Sequence, residues 1–185
     1  TLGPWAAELD GAEVVVNLAG RNVNCRYTPA NRRAILESRV QSTTVVGQAI
    51  ARAARPPRLW LQASTATIYA HRYDAANDEA TGRLGGGEPG APDTWRFSIQ
   101  VAQAWEAALN AAVVPQTRRV ALRSAMIMGA EPGGIFATLL NLVRFGLGGT
   151  AGDGRQYLSW VHEHDFVRAL QWLAAHDEMD GAVNI

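Results

Sequence analysis

The chain has 185 residues, 48% apolar and 18% charged, a balance that fills one sizeable core and excludes wholesale disorder. Its 17 basic and 17 acidic side chains cancel, so no global field draws in nucleic acid or anionic lipid. The single cysteine, Cys25, excludes an internal disulfide and a thiolate zinc site, and no apolar run approaches the ~20 residues that span a bilayer. A soluble, cytoplasmic α/β protein is expected, with neither nucleic acid nor membrane as a partner.

The opening, Thr1-Leu2-Gly3-Pro4-Trp5, starts mid-pattern without an initiator Met, and Val183-Asn184-Ile185 reads like the inside of a strand, so a truncated chain is expected. Residues 12–19 (AEVVVNLA) form a short β-branched run ending at Gly20, the pattern of a strand buried on both faces. Thr28-Pro29 pairs an N-cap with proline at the first helical position and predicts a helix over roughly 29–54, stopped by Pro56-Pro57. Residues 58–63 (RLWLQA) read as a second strand running into Ser64-Thr65-Ala66-Thr67. Residues 71–93 are polar and Gly-rich, and a loop this long in a compact domain is functional or disordered. Thr94 is the expected cap of a helix from Trp95 to about Ala112. Residues 119–124 (RVALRS) read as a third strand, which Met126 to Met128 would extend. Gly133-Gly134 precede a helix over about 135–145, then a Gly-rich turn over 146–154 and a short strand over 157–162. Asp165 is the expected cap of a last helix through Ala175, and residues 182–185 start a fourth core strand.

This alternation predicts a parallel sheet with helices on its faces. In such sheets ligands bind beyond the carboxyl ends of the strands, which here means residues 17–22, 63–69 and 123–129. Ser64, Thr65 and Thr67 put hydroxyls there, either to hydrogen-bond a substrate oxygen or to tie down a turn. Asn17-Leu18-Ala19-Gly20 is small enough to admit a ribose or a ring, or else serves tight helix–strand packing. The five glycines over 146–154 lack the strand before and the helix after that a dinucleotide fingerprint needs. All 17 basic residues are arginine, which excludes Schiff-base and phosphate-loop lysines. His162-Glu163-His164-Asp165 has the wrong spacing for a helical zinc motif; a packed His162 beside an Asp165 cap is favoured over two-ligand binding, and no metal site is expected. Arg32, Arg33, Arg39 and Arg52 read as a solvated helix face. Trp95, Trp105 and Trp172 read as core, whereas Trp5, Trp60 and Trp160 are ambiguous.

Several stretches together resemble the extended short-chain dehydrogenase/reductase superfamily, and look closest to its atypical NAD-dependent epimerase/dehydratase-like branch. They are Val15-Val16-Asn17-Leu18-Ala19-Gly20, Glu37-Ser38-Arg39-Val40, Ala63-Ser64-Thr65, Trp105-Glu106-Ala107-Ala108, Leu122-Arg123-Ser124, Gly146-Leu147-Gly148-Gly149, Gly152-Asp153-Gly154-Arg155-Gln156 and Ser159-Trp160-Val161-His162 with Asp165. Each is weak alone; in family order over nearly the whole chain they are strong. The resemblance implies a partial Rossmann-type doubly wound parallel sheet of about four core strands and a bound NAD or NADP. It implies a catalytic role for Thr65 and Ser64 and cofactor contacts from Asn17, Leu18, Ala19 and Gly20. With the strand-end rule it also selects Ala63, Arg123 and Ser124 for the cofactor, and Tyr69, Met128 and Arg155 for the substrate.

Three departures qualify this. The resemblance starts near the family's fourth strand, so residues 1–185 are expected to form the C-terminal half of an NAD(P)-binding domain. On that reading the Gly-rich βαβ part that holds a pyrophosphate on a helix N-terminus lies outside the chain, as does the C-terminal substrate domain. The superfamily's Tyr-x-x-x-Lys pair, a phenolic acid/base and the lysine that lowers its pKa, falls on Phe97 and Val101, neither of which moves a proton. Resemblance to the atypical branch implies that this substitution is common there. Finally, the position of the arginine that pairs with a diphosphate in nucleotide-sugar relatives reads Leu158, with Arg155 nearby as a substitute.

The function expected is that of an epimerase, dehydratase or reductase on a small hydroxylated or nucleotide-linked substrate, with weak or no turnover in this chain. The alternatives are a non-catalytic remnant, or a module that senses NAD(P) or binds a partner. An apolar first strand left at a sheet edge invites pairing, so a homodimer through that edge or its flanking helices is expected.

Overall fold

The computed structural model describes residues 1–131, 134–150 and 152–185. In chain order the elements are β1 (Val14–Asn17), α1 (Pro29–Arg52), β2 (Leu59–Ala63), α2 (Asp93–Asn110), β3 (Arg118–Arg123), β4 (Met126–Met128), α3 (Ile135–Arg144), β5 (Trp160–His162), α4 (Glu163–Ala175) and β6 (Gly181–Asn184), with 3₁₀ turns at Pro4–Leu9 and Ala66–Ile68. Strands β1-β2-β3-β6 form one parallel sheet in that order, and β4 and β5 form a separate parallel pair. This is the α/β architecture the alternation predicts, with four core strands.

The two faces of the sheet follow from the period-two alternation of strand side chains. Val15, Trp60 and Ala121 point to one face and meet Ile50 of α1 and Leu109 of α2. Leu59, Leu61, Val120 and Leu122 point to the other and meet Phe166 and Leu173 of α4. Each such fully buried aliphatic side chain contributes about 1.5–3 kcal/mol. On the first face α1 packs closely on β2 and on the turn that follows α2: a Cβ added at Gly47 would lie 3.0 Å from the Ala112 methyl and 3.4 Å from the Trp60 ring. Helix α1 starts as its sequence dictates, with Pro29 in the first turn and the Thr28 hydroxyl accepting the Asn31 amide at 3.3 Å. Helix α3 buries none of its residues, and its Phe136 and Leu142 are exposed.

Several local expectations are corrected. Val16 is 46% exposed, so β1 is buried on one face only: it is an edge strand, and α4 covers the sheet further along. Met126 to Met128 does not extend β3. The Ser124 amide turns back onto the Leu122 carbonyl at 2.8 Å, the Ala125 amide goes to Ile185, and the chain leaves the ladder to pair with Trp160–His162. Thr94 lies inside α2, which begins at Asp93 with no side-chain cap; the Asp93 carboxylate sits in the first turn, where the helix dipole favours negative charge, and pairs with Arg32. Asp165 likewise lies inside α4, whose cap is His162: its Nδ1 accepts the His164 amide at 3.2 Å from an exposed position, so His162 is not packed. Arg39 is not on a solvated face. Its guanidinium lies 5.0 Å from the Trp105 ring and donates to the Arg21 carbonyl, and desolvation holds its pKa below the usual arginine value. Trp172 is 47% exposed and stacks on His176, while Trp105 and Trp60 are core. Gly133, and Ala151 within the Gly-rich turn, lie outside the described residues.

Candidate functional site

The carboxyl ends of β2, β3 and β6 converge on a polar network. The Ser64 hydroxyl donates to Glu106 Oε1 at 2.6 Å. Glu106, on α2, takes both nitrogens of an Arg123 fork, Nε at 2.9 Å and Nη2 at 2.8 Å. The third Arg123 nitrogen, Nη1, donates to the Tyr69 hydroxyl at 2.8 Å, which donates onward to Asn184 Oδ1 at 2.9 Å. Both side chains of the Arg123–Glu106 pair are nearly buried, at 10% and 13% exposure. The bidentate bond to Glu106 raises the Arg123 pKa further above its already high value, so the guanidinium is charged at any working pH. The long loop after β2 is tied to this network: the Asn184 amide donates to Glu79, and its side chain donates to the Asn77 carbonyl. The base of the loop is pinned by the Ala70 amide on Arg83 and the Gly85 amide on Ile68.

Above this floor opens a cleft of about 1270 Å³. Thr65, Tyr69, Arg123 and Ser124 line its base, and Leu158 and Trp95 line its walls. Thr65 Oγ1 accepts the Thr67 amide at 3.2 Å and donates to Thr67 Oγ1 at 3.1 Å. His71, Tyr73 and Tyr157 form the mouth, with Arg72 held by both oxygens of Asp74 at 2.8 Å.

The residues singled out from sequence therefore divide. Thr65, Tyr69, Arg123 and Ser124 come together in the cleft, but Ser64, Ala63, Met128 and Arg155 are not among its lining residues. Ser64 is 4% exposed and faces Glu106. Phe97 and Val101, at the positions of the superfamily's acid/base pair, pack with Ile35 of α1 in an apolar cluster, and Phe97 meets the Tyr27 ring edge-on at 5.5 Å. Glu106, Asn184, His71, Tyr73 and Tyr157 escaped the sequence reading. Only Glu106 lay within a quoted family stretch, and no spacing ties it to Ser64, 42 positions away. Among the described residues no three His, Cys, Asp or Glu side chains gather to hold a metal ion, and no helix is long and apolar enough to cross a membrane.

The end of β1 forms a second surface. Asn17 is buried, donating to Gln62 Oε1 at 2.9 Å and accepting the Ala19 amide at 3.1 Å. With these bonds made, Leu18, Ala19 and Gly20 are left as an exposed, uncharged ledge, Leu18 at 55%. The β1–β2 register, Asn17 against Gln62, starts this ledge at the end of β2, and the chain then turns towards α1, the Ser42 hydroxyl donating to the Ala19 carbonyl and the Arg21 amide to the Ser38 hydroxyl. The small side chains of the ledge fit the ribose and ring portion of a dinucleotide, with the Arg39 guanidinium carbon 3.3 Å from where a Cβ on Gly20 would stand.

The sequence and the fold have counterparts among known proteins. Residues 5–185 match the model of the NAD dependent epimerase/dehydratase family. An epimerase family protein of Mycobacterium leprae is 32% identical over 174 residues, 94% of this chain and 52% of that protein. The mouse epimerase family protein SDR39U1 is 30% identical over 177 residues, 93% of this chain and 56% of that protein. The crystal structure of human SDR39U1 (isoform 2) with NADPH matches with a TM-score of 0.83 at 29% identity, covering 100% of this chain and 62% of that one. The chain thus spans about half the length of the curated relatives it matches. Its match to the family model over nearly all its length, carried on a four-stranded parallel sheet with a cleft at the strand ends, makes it a member of the NAD-dependent epimerase/dehydratase family.

Proposed function

We propose that this chain carries the substrate-facing part of an NAD(P)-dependent epimerase/dehydratase-type site, with a small hydroxylated or nucleotide-linked substrate in the cleft beyond β2, β3 and β6. The observation that supports this most is Thr65. Its hydroxyl stands in the cleft at the end of β2, and its proton is spent only on a neighbouring hydroxyl. A substrate oxygen can take that proton in exchange. When bound, NAD or NADP supplies the oxidising and reducing equivalents. Thr65 and Ser124 orient the substrate oxygen, the Arg123–Glu106 pair holds the floor rigid beneath them, and the apolar ledge excludes water from one side.

Phe97 and Val101 move no proton from their apolar packing, so weak turnover or none is expected of this chain by itself. The same two residues favour a second reading, in which NAD(P) is bound and sensed without turnover. A panel of hydroxylated substrates with NAD⁺ and NADP⁺, followed by nicotinamide absorbance for net oxidation and by product analysis for redox-neutral epimerisation or dehydration, separates the two. Turnover of any substrate, slowed roughly tenfold or more by Thr65→Ala, would support the first reading. A Thr65→Ala variant as fast as the parent would remove Thr65 from the mechanism. Cofactor binding with no turnover across the panel would favour the sensor.

We propose likewise a homodimer through the β1 edge or its flanking helices, supported by the unpaired edge of β1 and the exposed Val16 and Leu18. A monomer by light scattering at working concentrations would overturn it.

A further inference from the structure

We infer that the cleft selects an uncharged, hydroxylated substrate bearing an aromatic ring, held between the side chains of its mouth, and rejects a nucleoside diphosphate. This rests on the cleft being the substrate site of the reading above. Its first support is the mouth itself. Rings from three separate segments meet there: His71 and Tyr73 from the loop after β2, Trp95 from the start of α2, and Tyr157 from the approach to β5. His71 lies edge-on to Tyr73 at 4.8 Å and to Trp95 at 5.7 Å, and Tyr73 lies 6.2 Å from Tyr157. Tyr73 remains 60% and Tyr157 75% exposed, although each is within reach of other rings. Aromatic faces left in water around a concave site gain from a planar guest, which stacks offset or edge-on and removes that area from solvent.

The second support is charge. Two arginines line the cleft and each is already bound through a fork to a carboxylate, Arg72 to Asp74 and Arg123 to Glu106. Bidentate guanidinium–carboxylate pairs are among the strongest of hydrogen bonds. The Arg72 pair raises that guanidinium's pKa and lowers that of Asp74, as expected when each stabilises the other's charge. A diphosphate entering the cleft would have to displace the nearly buried Glu106 from Arg123, or compete at the mouth with the exposed Asp74 for Arg72 and lie beside its negative charge. A neutral hydroxylated ring meets neither cost, and Thr65 and Ser124 still offer it hydroxyl partners.

Isothermal titration of the chain with phenyl β-glucoside and with UDP-glucose tests this, since both carry a sugar and a planar ring and only UDP-glucose carries a diphosphate. Phenyl β-glucoside is expected to bind, and Tyr73→Ala and Tyr157→Ala each to weaken it roughly fivefold, the weight of one aromatic contact. UDP-glucose is expected not to bind at the same concentrations, and to gain binding in Asp74→Asn, which frees Arg72. Both tyrosines are exposed, and unchanged melting curves would show that their variants fold. Tighter binding of UDP-glucose than of the glucoside, glucoside binding indifferent to both tyrosines, or no glucoside binding at millimolar concentration would each overturn the inference. If NADPH binds and UDP-glucose wins, the functional reading survives and this inference fails. If the glucoside binds through the tyrosines and neither cofactor ever binds, the ring site stands and the functional reading fails.

Discussion

The floor and the mouth of the cleft lie side by side and are built on opposite terms. On the floor, Ser64, Glu106, Arg123, Tyr69 and Asn184 answer one another's hydrogen bonds in a chain that crosses three strand ends and one helix. At the mouth, His71, Tyr73 and Tyr157 keep their faces in solvent. A satisfied polar network rigidifies a core, whereas unspent aromatic surface around a concavity is available to a guest. Polar residues at a strand end are thus not all recruited for a ligand. Here the buried ones bond one another and the exposed ones stand open in the cleft, and the boundary runs between Ser64, bound to Glu106, and Thr65.

That contrast can be broken in a graded way. Arg123→Ala strands the Glu106 carboxylate and should destabilise the fold by about 3–5 kcal/mol, read from the denaturant midpoint; a loss below about 1 kcal/mol would mean that the network holds little. Glu106→Gln keeps an acceptor for Ser64 but leaves Arg123 without its counter-charge, and a smaller loss of about 1–3 kcal/mol is expected. Acid titration separates the regions further. Hydrogen bonding to Arg72 lowers the pKa of Asp74, so its stabilising contribution is complete above the unfolded carboxylate value of ~3.9 and is lost as pH falls through the lower folded value. Asp74→Asn should flatten that acid limb by slightly lowering stability near neutral pH, with the two proteins converging in acid; an identical limb in the variant would show that the pair holds nothing. Smallest of all, Tyr157→Ala should stay within about 0.5 kcal/mol of the parent in thermal melts. A larger loss there would make the mouth structural after all.

Much of the scaffold was legible because its signals are local. The β-branched and apolar runs at Val14, Leu59 and Val120 announce buried strands, and Thr28-Pro29 announces a helix start. What was not legible depends on contacts between distant segments. Thr94 and Asp165 are good caps in isolation, but Asp93 pairs with Arg32, 61 positions away, and His162 already caps α4. The arginine-rich face of α1 reads as solvated until the Trp105 ring is brought beneath Arg39. Ser64 and Thr65 are neighbours of the same chemical type, and only the placement of Glu106 tells them apart. The mouth was the least legible part, because its rings come from three segments with no common spacing.

The central claim is that the strand ends of this chain receive a nicotinamide dinucleotide and set a substrate against it. Titrating the chain with NADPH and NADH while following tryptophan fluorescence tests it most directly, since Trp95 lines the cleft. Saturable quenching at micromolar concentration, weakened by Leu18→Glu on the ledge beside β2, is the predicted result. No quenching up to millimolar cofactor would contradict it.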